Sequence, residues 1–244
     1  MSTITPAAAR RLAGAAMVVF PLAATIPYVL LIDRFGYDDI LREPPLAVLK
    51  AFQAGGPELV LIWLAFALCA AGFLWVAGWT AEAVRAQGGR WPLWATLAGA
   101  GSALVQAIGL LRWSFVVPGL AETALDPAAD PAARAAAVVV FGALNQFAGV
   151  ALGEHLGQTL LAAWTFALAV AVLRGRLAPA LFGWTGLALV PLWILGQSEL
   201  LATVIPGFPV IEAAPIAFMG WQVWLLGLGL WWLFRPKSAN DGSA

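Results

Sequence analysis

The chain is short of charge. Only 11% of its 244 residues are Asp, Glu, Lys or Arg, whereas soluble domains carry about a quarter, and this excludes an ordinary water-soluble fold. The two signs cancel to a net charge of zero with a pI near 6.6, so nothing marks a nucleic-acid partner. One cysteine, Cys69, excludes an internal disulfide and reads as a small packing residue in mid-span. One histidine, His155, excludes bis-histidine haem and a His-rich metal site. The two lysines, Lys50 and Lys237, both lie outside the apolar runs, which removes a retinal Schiff base. There is no phosphate-binding loop and no serine-protease signature. Asp126 and Asp130 in ALDPAADPAAR are four apart, but the alanines and prolines between them read as a solvated loop before a helix. No cofactor and no metal is expected.

What is abundant is hydrophobicity: 62% of residues are apolar and the mean hydropathy is +0.87. A helix needs about 20 apolar residues to cross a hydrocarbon core. Six such runs occur, near 12–32, 58–80, 92–117, 151–173, 179–200 and 214–234. The expected fold is an all-α, polytopic transmembrane bundle of about six spans. A single transmembrane domain, 1–238, is followed by a disordered tail, 239–244. Arg10-Arg11 ahead of the first run resembles a signal peptide, but the run is too long for one and has no small-residue cleavage end. It reads as the first span.

The Lys/Arg distribution orients the bundle. Arg10, Arg11, Arg85, Arg90, Arg174, Arg176, Arg235 and Lys237 fall on one side, opposed only by Glu82 and Asp241. Across the membrane lie Arg34, Arg42, Lys50 and Arg134 among Asp33, Asp38, Asp39, Glu43, Glu122, Asp126, Asp130 and Glu212. Both termini are therefore expected to be cytoplasmic. Tryptophans near the interfaces form an aromatic belt: Trp75, Trp79, Trp91, Trp94, Trp231 and Trp232 inside, Trp63 and Trp113 outside. The deeper Trp164, Trp193 and Trp224 are the rings open to a cavity role.

Two segments are irregular. Pro44-Pro45 opens a short amphipathic pattern (Leu46, Val48, Leu49, Phe52) that Gly55-Gly56 ends, which predicts a short surface helix in the first outer loop. From Pro131 to Arg174 no proline interrupts. One straight helix over that stretch would run to about 65 Å, so the fourth helix is expected to be long or kinked, with a break near Asn145-Gln146 or Gly149–Gly153.

Against this background eight polar residues stand out: Gln106, Arg112, Asn145, Glu154, His155, Gln158, Gln197 and Glu199. Ionisable groups inside a bilayer are costly and mark function or pairing. The topology places Arg112, Glu154, His155 and Glu199 at similar depth in the outer half. Arg112 is expected to pair with Glu154 or Glu199, and Glu154 and Gln158 to share a helix face. The candidate ligand-binding layer is Arg112, Trp113, Asn145, Glu154, His155, Gln158 and Glu199. Three readings stay open: an ion-pair lock on the helices, a site for a small molecule, lipid or proton, or an intramembrane enzyme using a carboxylic acid on an isoprenoid or lipid. Gly149, Gly153 and Gly157 are four apart and make a smooth helix face, for packing within the subunit or for a homodimer. Gly227 and Gly229 are two apart and fall on different faces.

The stretches LIDRFGYDDILREPP, QAIGLLRWSFVVPGLAE and VVFGALNQFAGVALGEHLG resemble bacterial membrane proteins of the family catalogued as domain of unknown function 4386. The resemblance runs from Leu31 to about Leu233, with RWSFVVP and GEHLG its most specific strings. It implies an integral protein of six or so spans in the bacterial cytoplasmic (inner) membrane, with lipid as its surroundings and no assigned activity.

Overall fold

The structure, a computed structural model, describes residues 4–37 and 39–235. The tail expected at 239–244 lies outside the described residues, as do Asp38, Lys237 and Asp241 from the charge count. Among the described residues all regular structure is helical. Six helical stretches are long and apolar enough to cross a membrane: Pro6–Phe35, Pro45–Ala86, Leu93–Leu125, Pro131–Gly175, Ala180–Ala202 and Ala214–Phe234. The molecule is a multi-pass membrane protein.

The helices are α1 (Pro6–Phe35), α2 (Pro45–Ala86), α3 (Leu93–Phe115), α4 (Val117–Leu125), α5 (Pro131–Leu144), α6 (Gly157–Gly175), α7 (Ala180–Ala202) and α8 (Ala214–Phe234). Proline opens several of them: Pro118 and Pro131 occupy first-turn positions of α4 and α5, where the missing N–H costs nothing. α2 is two helices in sequence. Gly56, at φ 59° and ψ −159°, breaks it in a region that only glycine enters without strain, and Pro57 restarts it. The short helix expected after Pro44 is thus present, and it buries Val48, Leu49 and Phe52 while Leu46 stays exposed.

The stretch from Pro131 to Gly175 is one long helical run, irregular where the sequence places the irregularity. It widens there rather than breaks: α5 passes into a π-helical segment, Asn145–Leu156, and then into α6. A wider turn keeps the backbone hydrogen-bonded, which a chain in lipid requires.

The chain sorts into two compact units. One holds the described parts of Met1–Leu22, Gly72–Ala103 and Gly157–Ala244; the other holds Ala23–Ala71 and Leu104–Leu156. The first unit packs Met17, Phe73, Trp164, Leu168, Trp221, Leu225 and Trp232. Phe73 stands edge-on to Trp164 and Trp221, centroids 5.0 and 5.6 Å apart, and Trp221 Nε1 donates to Thr165 Oγ1 at 2.9 Å. Glycine lets α1 and α8 meet: a Cβ on Gly14 would lie 2.8 Å from the Gly229 carbonyl oxygen. Gly229, unremarkable by spacing, is therefore a contact residue.

In the second unit Trp63 and Trp113 stack, 4.7 Å between centroids and 11° between planes, with Phe35, Phe52 and Phe141 around Trp113. Both indoles are fully buried. This corrects their assignment to an outer aromatic belt: the short helix after Pro44 and α5 supply rings that enclose them. Trp91 and Trp232 are buried too, whereas Trp75, Trp94 and Trp231 remain exposed.

Candidate functional site

In the second unit, Asn145 opens the π-helical segment and faces α3. Arg112, buried, donates through Nη2 to Asn145 Oδ1 at 2.9 Å and through Nη1 to the Gly109 carbonyl one turn back. Its guanidinium also lies over the Trp113 ring, 5.0 Å from the centroid, a cation–π contact of order 1 kcal/mol. Room for it comes from Gly149, where a Cβ would be 2.9 Å from Arg112 Cζ. Gly109 in turn would carry a Cβ 3.0 Å from Gly153 Cα. Gly149 and Gly153 thus allow close approach of α3 and the π-helical segment inside this unit, as small residues do between membrane helices.

Arg112 does not find the carboxylate expected for it. Glu154 Oε2 accepts from Arg42 Nη2 at 2.8 Å, with side chains 23% and 30% exposed. Arg42 lies in a 3₁₀ turn, Asp39–Arg42, after α1. A connection that hydropathy reads as merely outside the membrane supplies the counter-charge, and an amide supplies Arg112's acceptor. His155, exposed, stands near the end of the π-helical segment.

Gln158 and Glu199 belong to the first unit, so the seven candidate residues do not form one layer within one unit. Glu154 and Gln158 serve different partners. Gln197 Nε2 donates to Gln158 Oε1 at 2.6 Å and more weakly to the Trp193 carbonyl at 3.4 Å. The amide pair closes one end of a cleft of about 290 Å³ walled by Trp94 of α3, Gln158, Thr159, Ala162, Ala163 and Phe166 of α6, and Val190, Trp193, Ile194 and Gln197 of α7. No lining residue is ionisable. Among the described residues no acceptor takes the Gln158 Nε2 hydrogens, and the buried Trp193 Nε1 has no partner. Trp94, Phe166 and Ile194 are 49%, 45% and 62% exposed, so the cleft opens on an apolar surface of membrane-crossing helices.

Of the polar members of this cleft, Gln158 and Gln197 stand out in the sequence and Thr159 does not; Trp193 is one of the deep rings. Trp94, Phe166 and Ile194 do not mark the cleft, because an apolar cleft wall and an apolar lipid-facing surface have the same composition. The cleft lining holds no carboxyl group, and Glu154 accepts from Arg42.

No curated protein and no solved structure matches the chain. The family model described as Domain of unknown function (DUF4386) matches residues 12–235, and the chain belongs to that family.

Proposed function

We propose that this protein binds a lipid or another small amphiphile drawn from the bilayer, in the cleft between α3, α6 and α7. In this reading it resides in a bacterial cytoplasmic membrane with both termini inside, as the Lys/Arg distribution favours. The observation that carries the proposal is the unengaged Gln158 amide at the end of an open apolar cleft. In hydrocarbon an amide N–H without an acceptor costs several kcal/mol, and a ligand that brings an oxygen to it removes that cost. A volume of about 290 Å³ is at the lower edge of the range for small-molecule pockets, roughly 300–1,000 Å³. The Arg42–Glu154 and Arg112–Asn145 contacts act as clamps on the π-helical segment.

Purification in a mild detergent followed by extraction tests this. The wild type carries an amphiphile at near one-to-one ratio. Thr159→Trp, which puts an indole into the cleft, loses it while unfolding at the same temperature. Equal amphiphile content in both would end the proposal.

A further inference from the structure

The geometry points to a narrower ligand: a single-chain amphiphile whose head is uncharged and carries a hydrogen-bond acceptor. This inference rests on the cleft being a binding site and adds what the cleft selects.

The shape is the first observation. Cleft residues on α6 run from Gln158 through Thr159, Ala162 and Ala163 to Phe166, a rise of about 12 Å along the axis. On α7 they run in the opposite sense, Gln197 facing Gln158 and Val190 lying two turns back. The small side chains Ala162 and Ala163 form a groove between the larger rings of Trp94, Trp193 and Phe166. A groove of this length and a volume of about 290 Å³ hold one chain, not the pair of a common phospholipid.

The second observation is polarity along that groove. Gln158, Thr159 and Gln197 are at one end and every other lining side chain is apolar except for the indole N–H groups. The polar end offers donors. Gln158 Oε1 is already taken by Gln197, which leaves the Gln158 NH₂ group, and among the described residues the Thr159 hydroxyl has no hydrogen-bond partner either. The third observation is the lack of any charged lining residue. An ionic head seated against the amides would be desolvated without a counter-charge, which is strongly unfavourable in low dielectric. A carbonyl, ester or hydroxyl oxygen is matched by one or two N–H or O–H donors.

Native mass spectrometry with added probes tests the selection. Three probes share one alkyl chain: a monoacylglycerol, an alkyl sulfonate and an alkyl trimethylammonium. They are offered to the delipidated full-length protein, to Gln158→Leu and to Thr159→Trp, with Ala163→Trp as a second cleft-filling variant should Thr159→Trp fold poorly. The expected result is a monoacylglycerol adduct that falls roughly tenfold in Gln158→Leu, the loss of one hydrogen bond made away from water, and disappears in the filled variants. The ionic probes bind weakly and equally in all variants. If the ionic probes are also displaced by filling and bind the wild type as well as the monoacylglycerol does, the cleft is a site but the selection is refuted. If no probe responds to filling, the binding reading itself fails.

Discussion

Replacing Gly149 by alanine tests how tightly the π-helical segment is fitted to α3. In an unobstructed helix the change is favourable by about 0.8–1.0 kcal/mol. Here the new Cβ would lie 2.9 Å from Arg112 Cζ, well inside the 3.5–4.0 Å of a comfortable carbon contact. The guanidinium must withdraw, and it can do so only by giving up Asn145 Oδ1 at 2.9 Å. A hydrogen bond to a charged group contributes about 1.5–3 kcal/mol, so the net effect is a loss of about 1–2 kcal/mol. For a chain of this size that lowers the unfolding temperature by roughly 2–8 °C. Thermal unfolding of purified protein in one detergent measures it, with Gly119→Ala as control, since nothing lies within 4 Å of a Cβ there. Asn145→Ala removes the same bond from the other side, so the two losses are expected to be non-additive in the double variant. Gly149→Ala melting at or above the wild type, or strict additivity, would refute the fit.

Three further outcomes come from the packing. Trp113→Ala empties a ring stacked on Trp63 and edged by phenylalanines, and is expected to cost about 3–5 kcal/mol in a denaturant titration; a cost below about 1 kcal/mol would contradict the buried stack. Gly14→Ala is expected to destabilise by about 1–3 kcal/mol, because its Cβ meets the backbone of α8, whereas Gly72→Ala, with nothing within 4 Å, leaves the melting temperature unchanged or raised. Glu154→Gln keeps the shape of the Arg42 contact and removes its charge. With both side chains partly exposed the loss falls between surface and buried pairs, about 1 kcal/mol, and melting at low and high salt should show the difference shrinking as salt rises.

The six spans were legible because each must meet the same physical requirement, an apolar length matched to the bilayer, and the structure has six such helices among the described residues. The break at Gly56 was legible too, because Gly55-Gly56-Pro57 is a local signal. That the fourth helix turns irregular near Asn145 and Gly149–Gly153 was legible, but its form was not. The widening to a π-helical segment at Asn145–Leu156 goes with the fit of Arg112 to Asn145 and Gly149, a contact between residues more than thirty apart in the chain. The same applies to pairing. Arg112 and Glu154 are the obvious ions by hydropathy, yet Glu154 is taken by Arg42 from a connecting turn. Trp63 and Trp113 looked interfacial by position and are core because rings from α1, the short helix after Pro44 and α5 cover them. Of the cleft, the glutamines and one tryptophan were visible as exceptions in apolar helices. Its remaining walls were not, since nothing in a lipid-facing residue says whether it borders a groove.

The central claim is that the cleft between α3, α6 and α7 is occupied in a membrane. The most direct test is a density map of the protein in lipid nanodiscs, resolved well enough to show side chains. An elongated feature lying along Ala162 and Ala163, with its polar end within hydrogen-bond distance of Gln158 Nε2, is the predicted result. A cleft closed by the movement of Trp94 or Phe166, with Gln158 bonded only to protein, would contradict it.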